Sequence, residues 1–213
     1  MRELTQPRLR AGLLEACRQI VASEPMLTEL DLRIGDGDHG MGMKIGFSRL
    51  SALLEGREFS DIRELMRASG LELLKTMGGA SGVIFGSLFI GGYPALAEEA
   101  ETMDAEALVR FFEGSAASIA ARGGAKRGDK TMLDALAAAV DSMRAACQGG
   151  GDVLAVLKAG ADGAQAGAEA TKEMLPQLGR SKNFRDSAFG YPDPGAVSTA
   201  IIFQGLYQGI YQS

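Results

Sequence analysis

The feature that most constrains the fold of this chain is a succession of helix-length segments whose apolar residues recur every three or four positions. Alternating apolar and polar residues, the pattern of a half-buried strand, are absent. Alanine dominates the interior segments, and its small side chain favours close packing of helices. We therefore predict an all-α protein, an antiparallel up-and-down barrel or bundle of eight helices that forms a single domain over residues 1–213.

The predicted helices follow one another through short connections, with one exception. Ser60 is the predicted cap of the third helix, and Asp129 is the predicted start of the sixth. The fourth and seventh helices are predicted to end near Leu96 and Leu175. Only the connection over residues 176–194 is long, and long loops inside compact domains are usually functional or mobile.

Composition and charge exclude several classes of protein. Among the 213 residues, 46% are hydrophobic and 23% are charged, which is typical of a globular protein rather than a disordered one. The net charge of −5 and the scattered basic residues argue against a nucleic-acid partner. No leader-like segment opens the sequence, and no apolar run reaches the roughly 18 residues of a membrane span. The two cysteines form no metal or disulfide pattern, which fits a reducing compartment. Together with the charge and the lack of a long apolar run, this leads us to expect a cytoplasmic protein that binds neither nucleic acid nor membrane.

Carboxylates and the only histidine of the chain are concentrated in one glycine-rich stretch, residues 31–40. If the side chains of Asp31, Asp36 and Asp38 converge, each pair of charges about 4 Å apart costs on the order of 4 kcal/mol at an effective dielectric constant of about 20. A cation between the carboxylates removes this repulsion, and oxygen ligands on glycine hinges suit Mg²⁺. We therefore predict a Mg²⁺ site at these aspartates. Two other interpretations stay open: the aspartates form a solvated turn, and His39 is only a structural hydrogen-bonding group.

Four glycine-containing loops each precede a predicted helix, and in an up-and-down bundle such loops meet at one end. Backbone N–H groups and the positive ends of the helix dipoles then face a common space, which suits the phosphates of a ligand. The alternative for each loop is an ordinary helix end, and the loop before the sixth helix departs from a P-loop because Asp129 interrupts the motif. The four loops are residues 31–40, 78–82, 123–131 and 193–195.

The motifs in these loops carry a resemblance to a known family. The sequence resembles the nucleotide-binding L subunit, or L domain, of dihydroxyacetone kinases. The motifs occur in the order found in that family and cover nearly the whole chain. They are GDGDHG at residues 35–40, GGASG at residues 78–82, GDKTMLDAL at residues 128–136, ATK at residues 170–172 with GR at residues 179–180, and DPGA at residues 193–196.

The resemblance implies a barrel of eight antiparallel helices that holds ADP or ATP at one end through Mg²⁺, with two ions in the family pattern. It implies that the metal ligands are Asp31, Asp36 and Asp38. In this family a separate K-type subunit or domain binds the substrate, a short-chain ketose, and the L unit contributes the phosphoryl group. The residues implied to contact the nucleotide are His39, Gly40, Met41, Gly42, Ala80, Ser81, Gly123, Met132, Arg180, Pro192, Asp193 and Pro194.

No general base is evident in the sequence, and phosphoryl transfer depends mainly on positioning and on neutralisation of charge. We therefore assign no catalytic residue to this chain and expect kinase activity only with the partner subunit. In some members of the family ATP is the exchangeable donor, and in others a bound ADP is rephosphorylated by a phosphotransferase-system protein. The sequence leaves both donors open, and it also allows a homodimer.

Two departures from the family pattern bear on specificity. Gly42 stands where the family usually has asparagine, which removes a side-chain contact to phosphate. Residues 181–191 also differ, and they include Tyr191 where the family has histidine. A partner that binds another small ketose, such as erythrulose, is therefore an alternative. A regulatory Mg-nucleotide-binding protein without catalysis is a second one, and a Mg²⁺-dependent phosphohydrolase is disfavoured because only His39 stands near the carboxylates.

Overall fold

Helices make up most of the described chain, which comprises residues 1–179, 182 and 187–213 of a computed structural model. Most connections between them are short, as the sequence predicts. The α-helices of the described residues are α1 (Gln6–Ala22), α2 (Glu24–Ile34), α3 (His39–Gly56), α4 (Ile62–Met77), α5 (Gly79–Ile90), α6 (Ala105–Gly123), α7 (Met132–Gln148), α8 (Val153–Ala170) and α9 (Pro194–Gln212).

Eight of these helices form a closed ring in the order of the sequence. Each helix from α3 to α8 packs against the helix that follows it, and α1 packs against both α3 and α9. Two short antiparallel strands, β1 (Glu3–Thr5) and β2 (Thr102–Asp104), join the start of α1 to the start of α6. Single 3₁₀ turns at Tyr93–Ala95 and Thr171–Glu173 add to the connections. The predicted all-α fold is therefore confirmed, and its ring contains the predicted number of helices.

Helix α2 is a ninth helix of the described residues, which the sequence pattern does not predict. Ser23 is the single residue between α1 and α2, so no loop separates these two helices. Leu27, Leu30 and Ile34 of α2 lie at helical spacing, but two exposed apolar residues of the same helix interrupt the pattern in the sequence. The stretch that was predicted as one loop after α1 is therefore a helix followed by a short connection to α3.

Two helices begin later than predicted because other side chains cap them. At α4 the capping residue is Asp61 rather than Ser60, and its carboxylate accepts a hydrogen bond of 2.8 Å from the backbone N–H three residues further on. At α7 the cap is Thr131 rather than Asp129, and it forms a reciprocal capping box with Asp134. Each correction moves the start of the helix toward the C-terminus by only one or two residues.

Two helices end earlier than predicted. Helix α5 ends at Ile90 rather than Leu96, because a glycine pair follows it and the backbone there lies directly against α6. Helix α8 ends at Ala170 rather than Leu175, because the chain turns into a 3₁₀ segment in which the hydroxyl of Thr171 donates back to the end of α8. The connection between α8 and α9 is therefore longer than predicted.

Small residues let α1 and α9 close the ring at short distance. Gly205 of α9 faces Ala16 of α1, and a methyl group at Gly209 would lie 2.8 Å from the Cα of Gly12. Apolar side chains from all eight ring helices form one connected hydrophobic core. Within the part of the chain that the structure describes, no helix is long and apolar enough to cross a membrane.

We predict that Gly205→Leu lowers the free energy of unfolding by about 1–3 kcal/mol, because the added side chain overlaps the backbone of Ala16 and forces the two helices apart. Gly56→Ala is the matched control, since residue 56 ends α3 and a side chain there meets no atom within 4 Å. Urea denaturation followed by circular dichroism measures both variants. A Gly205→Leu protein as stable as the control would contradict the close packing of α1 on α9.

Candidate functional site

Three aspartates converge at the junction between α2 and α3. Asp31 lies in the last turn of α2, Asp36 lies in the connection, and Asp38 is the residue that precedes α3. One carboxylate oxygen from each aspartate lies within 4.8 Å of the other two. Asp31 is partly buried, whereas Asp36 and Asp38 are exposed. The structure therefore brings together the three residues predicted as metal ligands, in a group small enough to share one cation.

Two glycines allow this convergence. A side chain at Gly35 would collide with the carboxylate of Asp31, so that position requires glycine. Gly37 has a φ of +79°, in the left-handed region that favours glycine. The backbone therefore turns sharply between Asp36 and Asp38, and the turn directs both carboxylates toward Asp31.

His39 links the carboxylate cluster to the last helix. Its backbone N–H donates to Asp31 Oδ2 at 3.2 Å, and its ring Nε2 lies 2.8 Å from the hydroxyl oxygen of Ser198 on α9. Burial lowers the pKa of the imidazole, and the backbone of Pro194 and the charge of Asp31 oppose this shift. His39 therefore has a structural role that joins α2, α3 and α9, and its implied contact with phosphate stays a prediction.

The four predicted loops line a single cleft of about 660 Å³ beside the aspartates. The N-terminal ends of α3, α5, α7 and α9 all open onto this cleft, as an up-and-down topology requires of alternate ring helices. The predicted nucleotide-binding residues that line it are His39, Met41, Gly42, Ala80, Ser81, Met132, Asp193 and Pro194.

Three other predicted nucleotide-binding residues, Gly40, Gly123 and Pro192, do not line the cleft. Gly40 packs against α2, where a side chain would collide with the backbone of that helix. Gly123 ends α6 and lies next to Ile84, which does line the cleft. Pro192 directly precedes a lining residue but is not one itself. Arg180 and residues 181 and 183–186 of the divergent loop lie outside the described residues.

An apolar wall and a buried lysine were not among the predicted site residues. Ile84 and Phe85 follow Ser81 at helical spacing on α5, so the period of that helix could have placed them in the cleft. Lys130 belongs to one of the motifs, but no local pattern indicates that its side chain turns inward. The further lining residues are Met77, Gly78, Gly79, Thr131, Leu178, Gly179 and Gly195.

The four helix N-termini at the cleft are not equivalent. The side chain of Thr131 caps α7, and that of Asp193 caps α9. The residues that precede α3 and α5 make no such cap. Side chains at Gly78 and Gly79 would meet no atom within 4 Å, so the start of α5 is also sterically open. The N-terminus of α5 is therefore well placed to bind an anion in the cleft.

A lysine and an aspartate are buried where α7 and α9 begin. Lys130 is 1% exposed, and its ammonium donates to the carbonyl oxygens of Thr171 and Tyr191, each at 2.6 Å. Burial lowers the pKa of Lys130, and the charge of Asp193 opposes this shift. Burial raises the pKa of Asp193 to about 7, against the opposing effects of its bond from Ala196 N–H and of the charge on Lys130. Lys130 and Asp193 therefore stabilise each other's charged forms, while their burial away from water favours the neutral forms.

An all-α ring with converging carboxylates beside open helix N-termini defines a protein suited to a metal-complexed phosphate ligand. The model of the DAK2 domain matches residues 33–208. The chain belongs to this family, that of the ADP-binding DhaL subunits of dihydroxyacetone kinases. The resemblance drawn from the sequence motifs is thereby confirmed.

Bacterial relatives match nearly the whole chain. One is the ADP-binding subunit DhaL of the PEP-dependent dihydroxyacetone kinase of Escherichia coli (strain K12), with 34% identity over 91% of this chain and 92% of that subunit. Another is the ADP-binding subunit DhaL of the PTS-dependent dihydroxyacetone kinase of Lactococcus lactis subsp. lactis (strain IL1403), with 34% identity over 89% of this chain and 90% of that subunit.

A solved structure shows the same fold. The dihydroxyacetone kinase from C. freundii, in complex with AMP-PNP and Mg²⁺, matches with a TM-score of 0.75 and 27% identity over 98% of this chain. The match covers 35% of that longer polypeptide, so this chain spans about a third of the length of the solved kinase.

We predict that the wild-type chain loses stability relative to Asp193→Asn as the pH rises from about 4 to about 7. The pKa of Asp193 is about 7 in the folded protein and 3.8 ordinarily, so in this window the folded state keeps a proton that the unfolded state has released. Stability therefore falls as the pH rises. Asparagine retains a capping oxygen but does not titrate. Urea titrations without Mg²⁺ or nucleotide measure the difference, and a difference that does not change with pH would contradict the raised pKa.

Proposed function

We propose that this chain is the nucleotide-binding component of a dihydroxyacetone-kinase-like phosphotransferase, a single domain that holds Mg-ADP or Mg-ATP and acts with a K-type partner. The observation that carries the proposal is the cluster of Asp31, Asp36 and Asp38 carboxylates, within 4.8 Å of one another, beside a cleft onto which helix N-termini open. Carboxylates bind a hard cation, and helix N-termini bind phosphate. The names of the bacterial relatives as ADP-binding subunits support this proposal.

The donor set of the cluster fits Mg²⁺. Carboxylate oxygens are hard ligands, and three of them leave coordination positions for phosphate oxygens and water. Asp36 and Asp38 are exposed and line the cleft, so a phosphate in the cleft can reach the same ion. Bound Mg²⁺ would neutralise charge on the phosphoryl oxygens, and the family pattern of two ions is part of this proposal. The C. freundii kinase complex with AMP-PNP and Mg²⁺ supports the assignment.

The lining of the cleft suits a nucleotide. Its volume of about 660 Å³ is typical of small-molecule sites. We place the phosphates between the aspartates and the start of α5 at Ala80 and Ser81, where N–H groups are available. Ile84 and Phe85 offer an apolar surface for the nucleoside. A side chain at Gly42 would meet no atom within 4 Å, so there is room for the family asparagine, and this chain lacks its side-chain contact to phosphate.

The chain needs a partner for the acceptor and for the base. His39 lines the cleft, but its ring Nε2 is engaged by Ser198, so that nitrogen is not placed to accept a proton from a substrate. The cleft carboxylates are assigned to the metal or, at Asp193, to a helix cap. A K-type subunit that carries the ketose and a base would complete the reaction. The names PEP-dependent and PTS-dependent of the two bacterial kinases favour a bound ADP that is rephosphorylated by a phosphotransferase-system protein.

ADP together with Mg²⁺ should raise the melting temperature of the chain, because a ligand at about 100 times its Kd stabilises the folded state by about 2.7 kcal/mol. Asp36→Asn should weaken Mg-ADP binding by about tenfold or more, since a metal ligand is lost. Without Mg²⁺, the two proteins should respond to ADP alike. Differential scanning fluorimetry and titration calorimetry measure these effects.

Asp162→Asn is the matched control for this experiment. Asp162 is an exposed carboxylate on α8 that pairs with Lys158 and does not line the cleft. The control should bind Mg-ADP as tightly as the wild-type chain does. Unchanged affinity in Asp36→Asn would show that the metal assignment is wrong.

The isolated chain should phosphorylate neither dihydroxyacetone nor erythrulose from Mg-ATP, because it lacks a base for the acceptor. Addition of a K-type subunit, with ATP or with a phosphotransferase-system donor, should restore transfer. Phosphorus NMR of the products identifies the acceptor and the donor together. Appreciable turnover by the chain alone would contradict this division of roles, and tight Mg-ADP binding without transfer to any K-type subunit would favour a regulatory protein.

A further inference from the structure

Lys130 combines two features that are unusual for a lysine. Only 1% of its surface is exposed, although it lines the cleft, and its backbone φ of +60° lies in the left-handed region. Its ammonium donates to two carbonyl oxygens, those of Thr171 and Tyr191, each at 2.6 Å. A strained and buried charged residue persists only where its surroundings over-determine it, which points to a functional role.

The two carbonyl groups belong to the two ends of the connection between α8 and α9. Thr171 directly follows α8, and Tyr191 stands shortly before α9. Other hydrogen bonds join the same ends: Asp193 N donates to Thr171 Oγ1 at 2.8 Å, and Gly190 N donates to Lys172 O at 2.9 Å. These hydrogen bonds hold the two ends of the connection next to each other. The ammonium of Lys130, in the loop before α7, bonds to both ends.

This connection forms part of the wall of the cleft. Leu178 and Gly179 line the cleft directly. Gln177 N donates to Asp129 O at 3.1 Å, so the loop that carries Lys130 holds the connection at a further point. Loss of the ammonium would therefore remove two of the contacts that hold these ends, and we expect the wall to shift.

We propose that Lys130 is a positioning residue for the nucleotide, and that it acts by holding in place the two described ends of the connection between α8 and α9, residues 171–179 and 187–193, the first of which forms a wall of the cleft. This inference rests on the proposed function and adds to it a residue that does not touch the phosphates. Two of the three donor hydrogens of the ammonium are already used, and the side chain is enclosed, which disfavours direct pairing with phosphate.

The test compares Lys130→Met with Lys126→Met. Methionine keeps the length of the side chain but has no donor, and Lys126 is an exposed lysine in the same loop. Without nucleotide, hydrogen–deuterium exchange at Gln177 N and Gly190 N should be faster in Lys130→Met, with α1 and α9 unchanged. Its Kd for Mg-ADP should rise about tenfold or more, because small displacements of a binding wall are costly. Lys126→Met should match the wild-type chain in both measurements.

The loss of affinity should be of the same size for ADP and for AMP, because a wall that is held in place does not depend on the number of phosphates. A larger loss for ADP than for AMP would identify a direct phosphate contact and overturn the proposal. Unchanged exchange in the connection, or unchanged Mg-ADP affinity, would also overturn it. If the wild-type chain does not bind Mg-ADP, the proposed function itself fails, and the exchange result still reports on the contacts of Lys130.

Thr171→Val keeps the proposal testable if Lys130→Met does not fold. Valine has nearly the shape of threonine but lacks the hydroxyl that accepts from Asp193 N, while the ammonium of Lys130 is retained. This variant should accelerate exchange in the connection and weaken Mg-ADP binding in the same direction. A Thr171→Val protein with faster exchange in the connection but wild-type affinity for Mg-ADP would overturn the proposal, because a displaced wall would then leave nucleotide binding unchanged.

Discussion

The electrostatic balance at one end of the ring is the constraint on which the site depends. Four helices direct their positive N-terminal ends to one cleft, and three carboxylates lie beside them. The caps at Thr131 and Asp193 satisfy two of these helix ends, whereas the start of α5 stays open. The carboxylates repel one another, and the open helix end has no counter-charge of its own. This end of the ring is therefore complementary to a cation and an anion together, and less so to either alone.

The packing of small residues far from the cleft determines the position of α9, whose first residues line the cleft. Gly205 and Ala16 bring α9 close to α1, and the same helix α9 begins with the residues that line the cleft at Asp193 and Pro194. The hydrogen bond between His39 and Ser198 then fixes α9 against the carboxylate cluster. Core packing and the geometry of the site are thus two consequences of the position of one helix.

The sequence predicts those parts of the structure that follow from local pattern. The helical class and the meeting of four loops depend on periodicity, glycine positions and alternation of direction, which all can be read locally. Helix α2 was missed because exposed apolar residues interrupt the helical spacing of Leu27, Leu30 and Ile34. The contacts of Lys130 could not be predicted either, since Thr171 and Tyr191 lie 41 and 61 residues away along the chain. Convergence of the aspartates could be predicted only in part, because the glycines in the sequence allow the turn but do not require it.

Closure of the ring by α9 also has a consequence for the order of events during synthesis. The aspartates and the start of α5 are made early, whereas α9 emerges from the ribosome after the other ring helices. A nascent chain without α9 carries the acidic cluster but lacks the wall at Asp193 and Pro194 and the partner of His39 at Ser198. Completion of the cleft is therefore a late step in biogenesis, because it requires the last helix of the ring.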